Sequence, residues 1–330
     1  MSSKHIVNPS SWSPLVWDHR DSSAAKIGVM ELEPLRIMVY RHSAFYSPLI
    51  AAIAAGLLRD EGLEATYFIK PKERSLYEMF RQGEVDIMQA AVSTNWDPLS
   101  KGIRDIPRHF AQINQRDGFF LTSRRLGGAF QWKQLEGSRL IADHAQQPFA
   151  MLQYALHRQG VDASRIQFVD AGSPEAMELA FRSGEGDYVH LQGPAPQQLE
   201  REGVGAVVAC VGDAIPPVAF STLMAMPEFL KTEKARAFMR AYRRSLCWVN
   251  ETPAQKVAEA EAKLFNSIPV SALAAAISRY QQLGTWRPDP AIPRDQYETA
   301  MDVFIHSGVF KSRFPYEDVV TSPPESCGTR

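Results

Sequence analysis

From residue 35 to residue 192 the chain alternates short, continuous apolar runs with longer stretches whose apolar residues recur every three or four positions. "LRIMVY" (35–40), "LEATYFI" (63–69) and "VDIMQA" (85–90) are runs of the first kind and predict buried strands. Between them, "SPLIAAIAAGLLRDEG" (47–62) and "RSLYEMFRQG" (74–83) predict helices. Ser47 can cap the first, Pro48 suits its first turn, and Gly62 and Gly83 can supply the left-handed residue that stops each helix. The rhythm restarts after "GFFLTSRR" (118–125), with a strand at "GSRLIAD" (137–143), a helix at "QPFAMLQYALHRQG" (147–160) and a strand at "SRIQFVD" (164–170). A helix opening at Ser173 and Pro174 and a strand at "GDYVHL" (186–191) complete it. Strand and helix in alternation imply parallel pairing through right-handed crossovers, and hence an α/β protein.

One phrase occurs twice, at the same place in each half: "FRQGEVDIMQA" (80–90) and "FRSGEGDYVHL" (181–191). Its glycine ends a helix and its acidic residues fill the polar turn into the next strand. On leaving that strand the chain emerges at the carboxyl edge of a sheet, where open α/β sheets bind ligands. Residues 90–95 and 190–193 are therefore the first places to look. Beyond 225 the apolar spacing is helical throughout, as in "TEKARAFMRAYRRSLCWVNE" (232–251) and "RDQYETAMDVFIHSG" (294–308), so these helices are expected to coat one lobe rather than extend a sheet.

The chain has 330 residues, enough for about two cores, with 45% apolar residues and a formal charge of -1. Its basic residues are scattered, unlike a nucleic-acid footprint, and no apolar stretch approaches the ~20 residues of a membrane span. Three cysteines, Cys210, Cys247 and Cys327, are far apart and odd in number, which argues against a disulfide framework or a structural zinc site. Residues 1–34 are polar and lack an apolar signal core, so a cytoplasmic protein is expected, or a periplasmic one if a signal segment precedes the sequence.

The stretches "RHSAFYSPLIAAIAAGLLRDEGLEATYFI", "FRQGEVDIMQAAVSTNW" and "LEGSRLIAD", with the helical close "LGTWRPDPAIPRDQYETAMDVFIHSGVF", resemble the type 2 periplasmic-binding-protein fold. The resemblance covers roughly 35–320. It lies with the NMT1/THI5-like branch of nitrate, taurine, sulfonate and thiamine-pyrimidine binding proteins, together with fungal thiamine-pyrimidine synthases. It implies two lobes, each a mixed, mainly parallel sheet flanked by helices, with the ligand cleft between them. In this sequence that places lobe one at 35–120 plus 222–320 and lobe two at 121–221, between tails at 1–34 and 321–330. The crossing strands would be "DGFFLTSR" (117–124) and "VAFSTLMA" (218–225). The fungal synthases carry a cysteine-rich run about where this chain reads "DAIPPVAFSTL" (213–223); no cysteine occurs there, so that activity is not carried over.

Five segments would meet at such a cleft: 41–47, 91–95, 115–119, 143–148 and 190–194. They contribute His42, Phe45, Tyr46, Ser93, Thr94, Asn95, Asp117, Gly118, His144, Gln146, Gln147, His190 and Gln192 as candidate ligand-binding residues. Phe45 and Tyr46 could stack on a flat ligand, one of them being expected in the core. Residues 93–95 fit either a helix cap or an anion site. Gln146, Gln147 and His144 argue against a bare oxyanion and for a larger polar or aromatic molecule. His42, His144 and His190 admit three readings: structural hydrogen bonding, ligand orientation, or a metal or acid/base cluster. No His-x-His or His-x-x-x-His spacing supports the third. Neither a phosphate loop nor a Gly-x-Ser-x-Gly elbow occurs, and no cofactor is implied. The sequence thus points to a small-molecule binder that works by lobe closure, with an ABC transporter permease as partner if it is exported. The alternative is a cytoplasmic enzyme on the same fold, such as an aromatic-acid decarboxylase or other lyase using the cleft histidines.

Overall fold

A computed structural model describes residues 32–325, whose strands form two five-stranded sheets. In chain order the strands are β1 (Glu33–Val39), β2 (Leu63–Ile69), β3 (Ile87–Ala90), β4 (Arg108–Asn114), β5 (Phe119–Ser123), β6 (Arg139–Ile141), β7 (Gln167–Val169), β8 (Tyr188–Gln192), β9 (Ala206–Cys210) and β10 (Ser221–Ala225). The first sheet has the order β2-β1-β3-β10-β4 and the second β7-β6-β8-β5-β9. Each sheet pairs three strands in parallel and adds two more through antiparallel pairing, so both are mixed. Mixed sheets are what the resemblance implies; the strands β4 and β9 themselves are not revealed by apolar spacing.

The repeated phrase does the same mechanical job in both sheets. Gly83 and Gly184 have φ of 65° and 101°, the left-handed turn that ends each preceding helix. The aspartate three residues beyond each glycine pins the neighbouring parallel strand: Arg36 N donates to Asp86 Oδ2 at 2.8 Å, and Arg139 N donates to Asp187 Oδ2 at 2.9 Å. The backbone N–H of each aspartate returns a bond to the carbonyl of the same arginine. A carboxylate that accepts from the first free amide of a strand fixes its register against the next one.

Sequence spacing misses β4 because "RHFAQIN" looks half polar. His109, Gln112 and Asn114 are nonetheless buried, each with one side-chain nitrogen bonded to a distant partner, Thr222 Oγ1 at 2.6 Å, Gln296 Oε1 at 2.6 Å and the Phe45 carbonyl at 2.6 Å, while the other polar atom of each has no partner among the described residues. Buried polar groups are tolerated when so paired. The helix expected over 47–62 is broken at Gly56 (φ 76°) into Ser47–Ala54 and Leu57–Asp60. Its apolar first half lies under the amphipathic helix Glu233–Glu251, whose Ser245 hydroxyl donates to the Pro48 carbonyl at 2.6 Å. Full burial of Leu49 and Ile50 there contributes about 1.5–3 kcal/mol each.

The chain leaves the first sheet through 115–118, after β4, and returns through 211–220, after β9. These two crossings run side by side. Val218 N donates to the Gln115 carbonyl at 2.9 Å, and Phe220 N to that of Asn114 at 3.2 Å. Gly212 packs so closely on Asp117 that a Cβ would overlap its carbonyl oxygen.

Candidate functional site

The segments after β1 meet those after β6 and β8, so the carboxyl edges of the two sheets face each other. Ser43 Oγ donates to the Gly193 carbonyl at 2.7 Å, and Gln147 Nε2 reaches the Phe220 carbonyl at 2.8 Å. Between these contacts Arg41, after β1, grips Asp143, after β6, with both terminal nitrogens: Nη1 to Oδ2, and Nη2 to Oδ1 at 3.1 Å. A two-pronged guanidinium–carboxylate pair is the strongest common form of side-chain ion pair. Burial pushes the Asp143 carboxyl upward, but the Arg41 bonds and charge outweigh it and hold the group below the usual carboxylate range. The Ala145 amide also donates to Asp143 Oδ1, at 2.9 Å.

His190, on β8, is fully buried beside this pair and stacks on Phe119 with ring centres 4.3 Å apart. Among the described residues, neither of its ring nitrogens has a hydrogen-bond partner. Burial lowers its pKa to about 3, so the imidazole is neutral near pH 7 and offers one donor and one acceptor. The Tyr46 hydroxyl lies against Ser221 and Gln192, bringing one side chain of the first sheet to one of the second. Ser221 in turn accepts from Gln89 Nε2 at 3.0 Å.

Of the residues expected at the cleft, this geometry brings together Tyr46, Gln147, His190 and Gln192. Others are elsewhere. His42 accepts from the Tyr67 hydroxyl through Nδ1 (3.1 Å), donates to the Leu264 carbonyl through Nε2 (2.8 Å), and stacks on Phe265. Both of its nitrogens are committed within the first-sheet lobe, so it takes the structural reading. His144 donates Nδ1 to the Ala142 carbonyl at 2.8 Å and stacks on Phe149, at the rim. The three histidines therefore do not form one acid/base or metal set. Among the described residues, no group of three or more His, Cys, Asp or Glu converges as a metal site requires.

Phe45 is core and not a stacking platform: it is fully buried against Phe220 and Tyr280, and a Cβ on Gly118 would overlap its ring. Gly118 instead serves through its carbonyl, which accepts from the Tyr280 hydroxyl at 2.9 Å, while that hydroxyl accepts from Gly193 N at 2.8 Å. Ser93, Thr94 and Asn95 precede a helix as expected, and Asn95 holds the N-cap position of Trp96–Ser100, but no side chain makes the capping bond. These residues form the short 3-10 turn Val92–Asn95, and Asn95 Nδ2 donates to the Pro107 carbonyl at 2.7 Å. Gln146 opens its helix but is exposed.

Asp117 lies in the first crossing, fully buried, with Oδ1 accepting from Phe119 N at 2.7 Å and Oδ2 without a partner among the described residues. Burial, with the Asp143 charge adding to it, raises its pKa from 3.8 to about 8. A carboxyl raised in this way contributes stability that is full below its unfolded pKa and lost as pH rises through its folded one. Asp117→Asn is thus expected to gain on the wild type, by an order of a few kcal/mol, as pH goes from about 4 to about 8. Urea midpoints at those two pH values read it, and a difference that does not grow with pH counts against it.

Sequence spacing does not single out Arg41 and Asp143. The available signal is a charged residue directly after an apolar strand in each half, "LRIMVY" then Arg41 and "RLIA" then Asp143.

A protein-family model described as "NMT1/THI5 like" matches residues 44–256. YtlA of Bacillus subtilis (strain 168), provisionally described as a binding protein, is 27% identical over 297 residues, spanning 88% of this chain and 88% of its own. The ligand-binding component of an ABC-type import system from Staphylococcus aureus, solved with zinc bound, has TM-score 0.68 and 15% identity. It covers 88% of this chain and 97% of its own. The periplasmic aliphatic sulphonate binding protein SsuA from Escherichia coli has TM-score 0.66 and 16% identity over 90% of this chain and 95% of its own. The two structural likenesses establish the two-lobed periplasmic-binding-protein fold, and the family match, which spans well over half of the sequence, shows that the chain belongs to the NMT1/THI5-like family.

Proposed function

We propose that this protein is a solute-binding protein that traps a small polar ligand, aromatic or heterocyclic in character, by closing two lobes over it. The first lobe carries 33–114 plus 221–320 and the second 119–210, hinged at the paired crossings 115–118 and 211–220; the expected boundaries at 120/121 and 221/222 fall inside β5 and β10, which pair within the second and the first sheet, respectively. The observation that carries this reading is the Arg41–Asp143 pair, which joins the facing sheet edges beside a buried, unpartnered His190. Two groups that can release each other, next to a neutral donor–acceptor ring, make a binding site for a polar molecule in a dry cleft. Stacked Phe119 and His190 add an apolar wall suited to a flat ligand.

The names of the relatives support the reading, since YtlA, the Staphylococcus aureus component and SsuA are all described by binding. SsuA is also described as periplasmic, and the Staphylococcus aureus protein as part of an ABC-type importer, so an exported protein that delivers its ligand to an ABC permease is the reading we take. The cytoplasmic expectation rests on residues 1–34, most of which lie outside the described residues, and it is not carried forward. The enzyme alternative needs three cooperating histidines and loses its basis with His42 bonded elsewhere.

Calorimetry on a panel of small aromatic acids, sulfonates and pyrimidines, with product analysis and small-angle scattering of the same samples, tests the function. Saturable binding with a smaller radius of gyration and unchanged ligand is expected; turnover, or no binding and no closure with any probe, rejects it. His190→Ala is expected to weaken binding at least tenfold, about 1.4 kcal/mol, and an unchanged affinity would return His190 to a purely structural role.

A further inference from the structure

The charges at the cleft are matched one to one. Arg41 is held by Asp143, and the groups beside them, Tyr46, Gln192, Ser221 and the neutral ring of His190, carry no compensating charge. Glu175 adds a further negative field on Arg41. Asp117, which the Asp143 charge helps to keep protonated, sits fully buried in the hinge.

A bare anion that takes the two terminal nitrogens of Arg41 evicts Asp143. It then leaves a side chain that is only 5% accessible to keep its charge with one backbone amide for support. Two negative groups would share a single guanidinium in a closed cleft, which is strongly unfavourable in a poorly solvated site. A bare cation at Asp143 strands Arg41 by the same reasoning. A molecule with an acid group for Arg41 and an ammonium or amino group for Asp143 replaces both halves of the pair at once and leaves no charge uncompensated.

We infer that the cleft selects ligands of zero net charge that carry an acid group and an amine-type donor within one small molecule, and that Asp143 is the residue that rejects bare anions. This rests on the ligand-binding reading above and narrows it: Asp143 acts by making the wrong ligand costly, as selective sites commonly do.

Matched probes test it: β-alanine against propionate, and 4-(aminomethyl)benzoate against 4-methylbenzoate, titrated calorimetrically into the wild type and Asp143→Asn. In the wild type each zwitterion is expected to bind at least tenfold more tightly than its anion. In Asp143→Asn, which frees Arg41 and removes the negative charge, the anions are expected to gain at least tenfold over the wild type and the zwitterions to lose their advantage. Anions that bind the wild type as well as the zwitterions do, or as well as they bind Asp143→Asn, overturn the inference. If the wild type ignores both members of each pair, uptake of anions by Asp143→Asn supports it and continued indifference overturns it. Should Asp143→Asn fail to fold, judged by its thermal transition, Asp143→Ser and the wild-type ratio decide in the same way. Failure of the broader reading looks different: the wild type neither binds nor closes on any probe of any charge class.

Discussion

Arg41→Ala is expected to lower affinity for the cleft ligand by roughly a hundredfold or more, about 2.7 kcal/mol. Arg41 follows a strand of the first sheet and Asp143 a strand of the second, so in the proposed closing motion their ion pair forms as the lobes shut. Removing one member of a buried pair costs about 3–5 kcal/mol, and the 24% accessibility of the Arg41 side chain trims this toward about 2–4 kcal/mol. That cost falls on the closed form alone, and apparent affinity drops with the fraction of closed protein. The direction holds whether Arg41 meets Asp143 or the acid group of a ligand, because alanine can serve neither. Arg41→Lys is expected to recover only part of the loss, since an ammonium cannot make the two-pronged contact. Calorimetry with any ligand found in the panel gives the ratio, and scattering without ligand reports the shift toward open lobes. An affinity within threefold of wild type for Arg41→Ala would remove the pair from the closing mechanism.

Trp96→Ala is expected to be the most damaging change to stability, at about 3–5 kcal/mol. The indole is fully buried, with Phe304 edge-on at 5.1 Å, Phe310 at 5.5 Å, Tyr297 at 6.0 Å and Phe314 stacked at 6.1 Å. Its Nε1 donates to the Tyr297 hydroxyl at 3.0 Å, which itself donates to the Phe314 carbonyl at 2.8 Å. Truncation leaves a cavity that four aromatic rings cannot fill without leaving their own contacts, and it removes the donor from a buried chain of hydrogen bonds. Such a loss is a large part of the ~5–15 kcal/mol that holds a typical protein folded. Trp96→Phe keeps most of the volume and is expected to lose less than half as much. Equilibrium urea denaturation of the three proteins measures both, and an Ala variant within about 1 kcal/mol of wild type would mean that the cage collapses freely.

The two predictions rest on different kinds of legibility. Strands such as β2 and helices such as Pro174–Arg182, opened by Ser173 with its hydroxyl accepting from Ala176 N, are readable because their signals are local: an apolar run, a cap, a stopping glycine. The Trp96 cage is not readable, since its rings come from 297–314, some 200 residues further along the chain. β4 is a similar case. Its buried polar residues look like a surface segment until Thr222, Gln296 and the Phe45 carbonyl are brought against them.

What the sequence determined by itself is the architecture: strand and helix in alternation, the phrase "FRQGEVDIMQA" echoed as "FRSGEGDYVHL", and a ligand edge just beyond each echo. These come from interactions within a few residues, such as the left-handed glycine and the aspartate that pins the adjacent strand. Only the tertiary structure decided which residues hold the ligand edge. His42, three residues past β1, and His190, within β8, look alike in the sequence, but the Leu264 carbonyl, 222 residues away, occupies the first, while the second is buried with both nitrogens unpartnered among the described residues. Arg41 and Asp143, 102 residues apart, are each just a charge after a strand in the sequence. They become a pair across the cleft because long-range packing sets the distance between charges and the water left around them, and those two quantities fix what a charged group does.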